Sequence, residues 1–311
     1  MAVKGRVAII GSGLIGRAWA IVFAGGAWEV ALYDAVAGAA DNAHVLVAEG
    51  LDELAAHGLV ADPKGAAARV RPVASLAEAL GGAAFVQENT PERLEVKREI
   101  FAELDRLAGA DAILASSTST IVASTFTEGL KGRARCLVAH PVNPPHLVPL
   151  VELVAAPWTA PAVVTKAKAI YEGIGQVPIV VKREIEGFIL NRLQAVLLSE
   201  AFRLVEDGFV TPQDLDHTLK DGLGLRWSFM GPFETIELNA PGGIPDYCAR
   251  YGPSLSRLSA ADPAIYAGDK LKGVLAQWGN ALTGDQVAVR MGWRDRRLAA
   301  LKAHKRSQPC D

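Results

Sequence analysis

A histidine and a glutamate lie twelve residues apart, each within or beside an apolar segment. His140 follows the run CLVA, and Glu152 interrupts the run VPLVELV. A carboxylate in an apolar strand is costly to bury unless it is paired, so we expect Glu152 to bind one ring nitrogen of His140 and fix its tautomer. Histidine takes up protons near neutral pH, and the pair therefore predicts general base chemistry with His140 as the base. The alternative for Glu152 is a carboxylate in solvent on an edge strand.

A glycine-rich hexad, GSGLIG, lies near the amino terminus between a predicted strand and a predicted helix. Gly11 permits the tight turn, Gly13 lets a pyrophosphate approach the backbone, and Gly16 allows the helix to pack closely on the strand. The N–H groups near Leu14 and Ile15 then face the phosphates at the positive end of the helix dipole. The hexad therefore predicts a dinucleotide site.

Asp34 ends the second predicted strand, 18 residues after Gly16. A carboxylate there accepts hydrogen bonds from the ribose of adenosine and repels a 2′-phosphate. Ala35 and Val36 follow it, where an Arg or Lys would be needed to bind such a phosphate. The sequence favours NAD as the cofactor over NADP, and FAD is favoured less still.

Hydroxyl and imidazole side chains follow two other predicted strands. The segment SSTST (residues 116–120) follows AILA, and HPVNPP (residues 140–145) follows CLVA. Because the carboxyl ends of parallel strands form the ligand crevice, both segments should face the cofactor. Removing a hydride from an alcohol needs a base for the hydroxyl proton, and this arrangement assigns that task to His140.

Short apolar runs alternate with longer helical segments over the first 180 residues. Strands are predicted at residues 6–10, 29–33, 83–87, 112–115, 136–139 and 177–181, with helices such as 14–24, 37–56 and 92–107 between them. This alternation is typical of βαβ units that build a parallel sheet with helices on both faces. It predicts an α/β fold, with a Rossmann-type doubly wound sheet domain over residues 1–184.

The pattern changes after Lys182. Residues 188–205 carry apolar side chains at helical spacing, and Thr211 and Pro212 are typical of the start of a further helix. No comparable β-rich run follows. Residues 188–311 are therefore predicted to form a smaller all-helical domain, with residues 183–187 as the hinge.

Composition and charge exclude several classes of protein. The 311 residues are half hydrophobic, and 32 basic against 34 acidic side chains give a net charge of −2. This balance predicts no nucleic acid and no membrane as partner. Three widely spaced cysteines argue against a disulfide framework or a cysteine zinc site, and we expect no metal. The first apolar stretch breaks at Gly11 after four residues, so we expect a cytoplasmic protein.

The motifs GSGLIG, ASSTST, HPVNPP, LVELV, EGFILNRL and MGPFE together resemble the 3-hydroxyacyl-CoA dehydrogenase family over nearly the whole chain. Within that family, AHPVNPP, GLGLRWSFMGPFET and LNAPGG are most similar to the λ-crystallin and L-gulonate 3-dehydrogenase branch. The resemblance implies an active site of serine, histidine, glutamate and asparagine. It places these roles at Ser119, His140, Glu152 and Asn191, with Asn143 as a supporting residue.

The resemblance also implies cofactor contacts from Glu92 and Lys97 in the segment ENTPERLEVK. The alternative is an exposed pair in the first turn of a helix. In the resembling family the helical domain pairs two subunits, which implies a homodimer. The apolar side chains of residues 188–205 could instead pack within the monomer.

The substrate implied by the branch is a small 3-hydroxy acid such as L-gulonate. We expect Arg226 to bind its free carboxylate, the alternative being an arginine that caps helix carbonyls or packs on Trp227. Residues 36–58 contain no Lys or Arg, which disfavours coenzyme A. A 3-hydroxyacyl-CoA such as 3-hydroxybutyryl-CoA, carnitine, and NAD binding without turnover in a structural protein are the alternatives.

Overall fold

The computed structural model describes residues 3–228, 230–241, 243–258 and 285–307. The chain divides into two compact units. The first contains the chain up to Ile189 and again from Ala288 onward, and the second runs from Leu190 to Val287.

The first unit contains an eight-stranded sheet in the order β3-β2-β1-β4-β5-β6-β7-β8. The first six strands are parallel, whereas β7 runs antiparallel to β6 and pairs in parallel with β8. The strands are β1 (Arg6–Ile10), β2 (Glu29–Tyr33), β3 (Val70–Pro72), β4 (Phe85–Glu88), β5 (Ile113–Ser116), β6 (Cys136–Pro141), β7 (Leu150–Ala155) and β8 (Val177–Val181). This arrangement confirms the predicted doubly wound sheet, and the order of the strands reverses between β1 and β4.

Seven α-helices and a short 3-10 helix at Arg133–Arg135 connect the strands of this sheet. The α-helices are α1 (Leu14–Gly25), α2 (Ala39–Ala56), α3 (Pro63–Ala68), α4 (Leu76–Leu80), α5 (Leu94–Leu107), α6 (Ser124–Thr127) and α7 (Pro161–Gly173). Strand β3 was not predicted, because it is three residues long and ends at a proline.

The central strands β4, β5 and β6 are buried on both faces of the sheet. On one face, Trp19 and Phe23 of α1 pack against Phe85 and Tyr171, with ring centroids 5.3–6.3 Å apart. On the other face, Phe101 of α5 packs on Phe126 at 4.7 Å. The aromatic packing on the first face fixes α1 against the sheet, and α1 is the helix that follows the glycine hexad.

The second unit is helical in its described part. It contains α8 (Leu190–Glu206), α9 (Pro212–His217), α10 (Gly224–Trp227), α11 (Pro232–Leu238) and α12 (Gly243–Leu258), with a π-helical segment at Thr218–Leu223 between α9 and α10. The hydroxyl of Thr211 accepts a hydrogen bond from Asp214 N, so α9 begins as the sequence predicts. These helices confirm the helical character expected after the sheet domain.

The last helix, α13 (Asp285–Ser307), groups with the first unit from Ala288 onward. Lys302 Nζ donates to His146 O at 2.8 Å, Arg306 donates to Leu59 O at 3.1 Å, and Ala299 is buried. The predicted second domain runs to residue 311, whereas this helix groups with the first unit from Ala288 onward. The basic run at the end of this helix is typical of a solvated helix face. Two of its side chains, Lys302 and Arg306, nevertheless donate hydrogen bonds to backbone carbonyls of the first unit. Of the described helices, none is long and apolar enough to cross a membrane.

Candidate active site

The three glycines of the hexad have different surroundings. Neighbouring backbone atoms lie too close to Gly11 and Gly16 for a side chain, whereas the space beside Gly13 is open. Gly11 has φ +89°, and a Cβ at Gly16 would lie 1.8 Å from Gly11 O. A Cβ at Gly13 would meet no atom within 4 Å, and no side chain caps the amino end of α1 there. Gly11 and Gly16 are thus required by the fold, whereas Gly13 borders open space at the amino end of α1, where the sequence predicts a pyrophosphate.

Asp34 is held by the hexad itself. Its Oδ2 accepts hydrogen bonds from Ser12 N at 2.7 Å and Ser12 Oγ at 2.8 Å, and its Oδ1 accepts one from Val36 N at 3.0 Å. Burial acts to raise the pKa of Asp34, but these hydrogen bonds outweigh it and lower the pKa below its ordinary value. The carboxylate is therefore ionised and oriented, as an acceptor for ribose hydroxyls must be. The role of Ser12 could not be predicted, because its position in the motif is not specified by residue type.

Glu92 organises the loop that carries Ser119. One carboxylate oxygen of Glu92 accepts hydrogen bonds from Thr118 Oγ1 at 2.6 Å, Ser119 N at 2.9 Å and Thr120 N at 3.1 Å. Burial acts to raise the pKa of Glu92, and these hydrogen bonds lower it below its ordinary value. Ser119 itself is exposed, so a ligand can reach its side chain.

Lys97 is buried in an ion pair. Its Nζ lies 2.8 and 3.0 Å from the two carboxylate oxygens of Glu88 and donates to Thr90 O at 2.9 Å. Lys97 is 1% exposed and Glu88 is fully buried, and Ser116 Oγ also donates to Glu88 at 2.6 Å. Glu92 is exposed but Lys97 is buried, so the two do not form the exposed pair considered as the alternative. Lys97 lies beneath the loop after β4, which in turn contacts Gly11.

A second polar cluster connects this loop to α1. Ser117 Oγ accepts from Trp19 Nε1 at 3.0 Å and from Gln87 Nε2 at 2.8 Å, and it donates to Asn89 Oδ1 at 2.7 Å. The hydroxyl of Tyr171 donates to Gln87 Oε1, and burial raises the pKa of Tyr171 well above its ordinary value, so it stays a donor. The sequence signal for this cluster was the polar ending of the β4 and β5 segments, FVQEN and ILASS.

His140 and Glu152 face each other across β6 and β7. His140 Nδ1 and Glu152 Oε2 are 2.7 Å apart, which is the contact expected from the sequence. His140 is 5% exposed, and Glu152 is fully buried and also accepts a hydrogen bond from Ile189 N at 2.8 Å through Oε1. Because Nδ1 is directed at the carboxylate, Nε2 is the ring nitrogen that is left to exchange a proton with a ligand.

The remaining predicted site residues lie in two places. Asn143 is exposed in the loop between β6 and β7. Asn191 is half-buried in α8 and Arg226 is exposed in α10, both in the second unit, and their roles remain predictions. The described residues contain no group of three or more His, Cys, Asp and Glu side chains that could hold a metal ion.

Comparison with protein-family models gives two matches that together cover most of the chain. Residues 6–185 match the NAD-binding domain of 3-hydroxyacyl-CoA dehydrogenase, and residues 187–270 match the C-terminal domain of the same family. The first match contains the hexad, Asp34, His140 and Glu152.

Similar proteins match nearly the full length of the chain. A λ-crystallin homolog of Rattus norvegicus is 43% identical over 308 residues, covering 97% of this chain and 96% of that protein. An L-carnitine dehydrogenase of Pseudomonas putida is 36% identical over 304 residues, covering 97% and 94%. Among solved structures, an NAD+-dependent dismutase, 5-formyl-3-hydroxy-2-methylpyridine 4-carboxylic acid 5-dehydrogenase, has a TM-score of 0.85 at 29% identity and covers 99% of this chain and all of that one.

Two alanine substitutions in the hexad should have different effects on folding. Gly16→Ala forces a methyl group against Gly11 O, so we expect a lower free energy of unfolding and weaker NADH binding. Gly13→Ala meets open space, so we expect a change in unfolding free energy of only about 0.5 kcal/mol but at least about tenfold weaker NADH binding. Urea unfolding and NADH fluorescence titration measure the two quantities. Unchanged NADH affinity in Gly13→Ala would rule out a pyrophosphate at this loop.

Replacing Lys97 should lower the free energy of unfolding much more than replacing an exposed lysine. Lys97→Met leaves the Glu88 charge buried without its cation, so we expect the free energy of unfolding to fall by about 3–5 kcal/mol. Lys168→Met is the control, because Lys168 forms an exposed pair with Glu172 at 2.6 Å and its loss should cost about 0.5 kcal/mol or less. Adding Glu88→Gln to Lys97→Met should restore part of the loss. Equal effects of the two lysine variants in urea unfolding would contradict a buried ion pair.

Proposed function

Because the chain belongs to the 3-hydroxyacyl-CoA dehydrogenase family and binds NAD, we propose that it oxidises the 3-hydroxyl of a small free 3-hydroxy acid, of the L-gulonate type, to the 3-keto acid. The observation that carries this proposal is the buried pair of His140 and Glu152 at the carboxyl end of β6. Oxidation of an alcohol needs a base at this edge of the sheet, where the dinucleotide crevice also lies.

In the proposed reaction, His140 Nε2 takes the proton of the substrate hydroxyl. The imidazolium that forms is stabilised by the Glu152 carboxylate 2.7 Å from Nδ1. Ser119 and Asn191 donate hydrogen bonds to the substrate oxygen as it becomes a carbonyl, and Asn143 supports them. Bound NAD supplies the acceptor for the hydride that leaves the carbon atom.

The cofactor is held by groups of the first unit. We assign the pyrophosphate to Gly11, Gly13 and Gly16 with the N–H groups near Leu14 and Ile15. Asp34 accepts hydrogen bonds from the hydroxyls of the adenosine ribose, a role supported by its lowered pKa and its fixed orientation.

Glu92 and Lys97 belong to the nicotinamide side of the same proposal. Glu92 orders the Ser119 loop through three hydrogen-bond donors. Lys97 is proposed to act indirectly, by holding the loop after β4. Its Nζ donates a hydrogen bond to the Thr90 carbonyl in that loop, which contacts Gly11.

The chemistry of α2 and of the chain around it favours a free acid over a coenzyme A ester. Residues 36–58 contain no Lys or Arg but carry the acidic side chains Asp41, Glu49, Asp52 and Glu53. Phosphates of coenzyme A would be repelled there rather than bound. Arg226, exposed in α10, offers the cation that a free carboxylate needs.

Carnitine is the second candidate substrate. The L-carnitine dehydrogenase of Pseudomonas putida matches 97% of this chain, and carnitine is itself a 3-hydroxy acid with a free carboxylate. Its quaternary ammonium favours an aromatic neighbour, and Trp227, next to Arg226, is 41% exposed. A 3-hydroxyacyl-CoA, the substrate in the family's name, is the third candidate.

We also propose that two chains form a homodimer through the second unit. Along α8 the apolar side chains of Leu193 and Val196 are 66% and 72% exposed in the single chain, and Leu197 lies beside them. An isologous interface along this helix would bury them.

Substrate preference should be visible in NADH formation with L-gulonate, L-3-hydroxybutyrate, L-carnitine and 3-hydroxybutyryl-CoA. We expect turnover with a free acid, and we expect His140→Gln to abolish it while NADH binding is retained, because His140 removes the proton. A preference for the coenzyme A ester would overturn the free-acid proposal and leave the roles of His140 and Glu152 intact. Full activity of His140→Gln would overturn the general base.

Arg226→Ala should raise KM for the preferred acid by about tenfold or more, because a charge-assisted hydrogen bond to the carboxylate is lost. Arg257→Ala is the matched control, since Arg257 is an exposed arginine of the same unit that donates to Ser254 Oγ. Steady-state kinetics of both variants measure the effect. An unchanged KM in Arg226→Ala would exclude the carboxylate clamp.

Light scattering coupled to size-exclusion chromatography should give about twice the chain mass of 32.8 kDa. Val196→Glu places a charge within the proposed interface and should yield the monomer. Val36→Glu, at a valine 68% exposed in the first unit, should leave the dimer intact. A wild-type monomer would refute the proposal, and so would a dimer that persists in Val196→Glu.

A further inference from the structure

The chain between β8 and α8 contains a left-handed turn. Gly187 has φ +71° and Phe188 has φ +49°. Glycine adopts such a backbone at no steric cost, whereas a bulky residue adopts it only where the surroundings impose it. Phe188 is nevertheless fully buried. A strained phenylalanine at the end of the first unit therefore calls for a physical reason.

The turn places two groups on the proposed catalytic pair. The ring of Phe188 packs on the imidazole of His140, with centroids 5.4 Å apart and planes at 50°. The next residue, Ile189, donates its N–H to Glu152 Oε1 at 2.8 Å. One short turn thus contacts both members of the pair.

The hydrogen bond from Ile189 fixes the carboxylate at the oxygen that His140 does not bind. Oε2 receives His140 Nδ1 at 2.7 Å and Oε1 receives the Ile189 N–H at 2.8 Å, so rotation of the carboxylate would break both contacts. Glu152 is fully buried, and loss of either donor would leave charge poorly compensated in an apolar setting. The Phe188 ring is fully buried and packs on the imidazole that supplies one of these donors.

We propose that Phe188 is a positioning residue for the oxidation, and that its left-handed backbone holds the Ile189 N–H and the aromatic ring against the pair of Glu152 and His140. The proposal rests on the proposed function for its kinetic consequence, because misplacing a base by a fraction of an ångström lowers kcat. Its structural consequence, the state of the hydrogen bond between His140 and Glu152, does not depend on any substrate.

Phe188→Leu tests the inference, because leucine has the same backbone cost at this φ but lacks the ring. Phe101→Leu is the matched control: Phe101 is also a fully buried phenylalanine of the same unit, and it packs on Phe126 rather than on His140. Both variants should lower the thermal unfolding midpoint. Only Phe188→Leu should lower kcat, by about 10- to 100-fold, with KM for NAD unchanged.

Proton NMR of the NAD-bound enzyme supplies the readout that needs no substrate. The Nδ1–H of His140, bonded to a buried carboxylate, should give a downfield resonance that disappears in His140→Gln. We expect this resonance to shift or broaden in Phe188→Leu and to persist in Phe101→Leu. If Phe188→Leu does not fold, Phe188→Met, of similar volume and without a ring, takes its place.

Two outcomes would overturn the inference. One is an unchanged His140 resonance in Phe188→Leu. The other is an equal loss of kcat in Phe188→Leu and Phe101→Leu, which would reduce Phe188 to core packing. Absence of turnover in the wild type with all the acids tested would instead refute the proposed function, and the NMR comparison would still decide the role of Phe188.

Discussion

Burying the Glu152 carboxylate constrains this part of the structure more than any other single requirement. A charge with no exposure to solvent needs donors within hydrogen-bond distance, and Glu152 finds them in His140 Nδ1 and Ile189 N. The first donor fixes the register of β7 on β6, because a slip by one residue would turn Glu152 to the opposite face of the sheet. The second donor, Ile189 N, requires the left-handed turn at Gly187 and Phe188.

Two other carboxylates along this edge of the sheet are also held by hydrogen-bond donors, one of them buried and the other exposed. Glu88 is fully buried and is neutralised by the Lys97 ammonium, with Ser116 as a further donor. Glu92 is nearer to solvent and uses the hydroxyl of Thr118 and two backbone N–H groups instead. Glu88 thereby connects β4 to α5 and β5, and Glu92 holds the loop after β5, so both carboxylates fix the positions of loops at this edge of the sheet.

Much of this arrangement was predictable from residue types and spacing. The hexad, Asp34 and the pairing of His140 with Glu152 follow from local rules, because each combines a motif with a strand end or an apolar run. Phe188 and the partners of Lys97 did not follow, since a backbone dihedral and a buried ion pair depend on what packs around them. Strand β3 was missed because three residues carry too little periodicity. The contacts of helix α13 with the first unit could not be predicted, because the carbonyls that accept hydrogen bonds from Lys302 and Arg306 lie more than 150 positions away in the sequence.

The reversal of strand direction at β7 explains why the proposed catalytic pair lies where it does. A parallel strand after β6 would need a crossover and would begin at the far edge of the sheet. The antiparallel return needs only the eight residues between Pro141 and Leu150, so β7 begins at the edge where β6 ends. Glu152 is the third residue of β7 and therefore lies opposite His140 at the same edge as the glycine hexad. Parallel strands thus position the residues proposed to bind the cofactor, and one antiparallel strand brings the Glu152 carboxylate to the proposed base, His140.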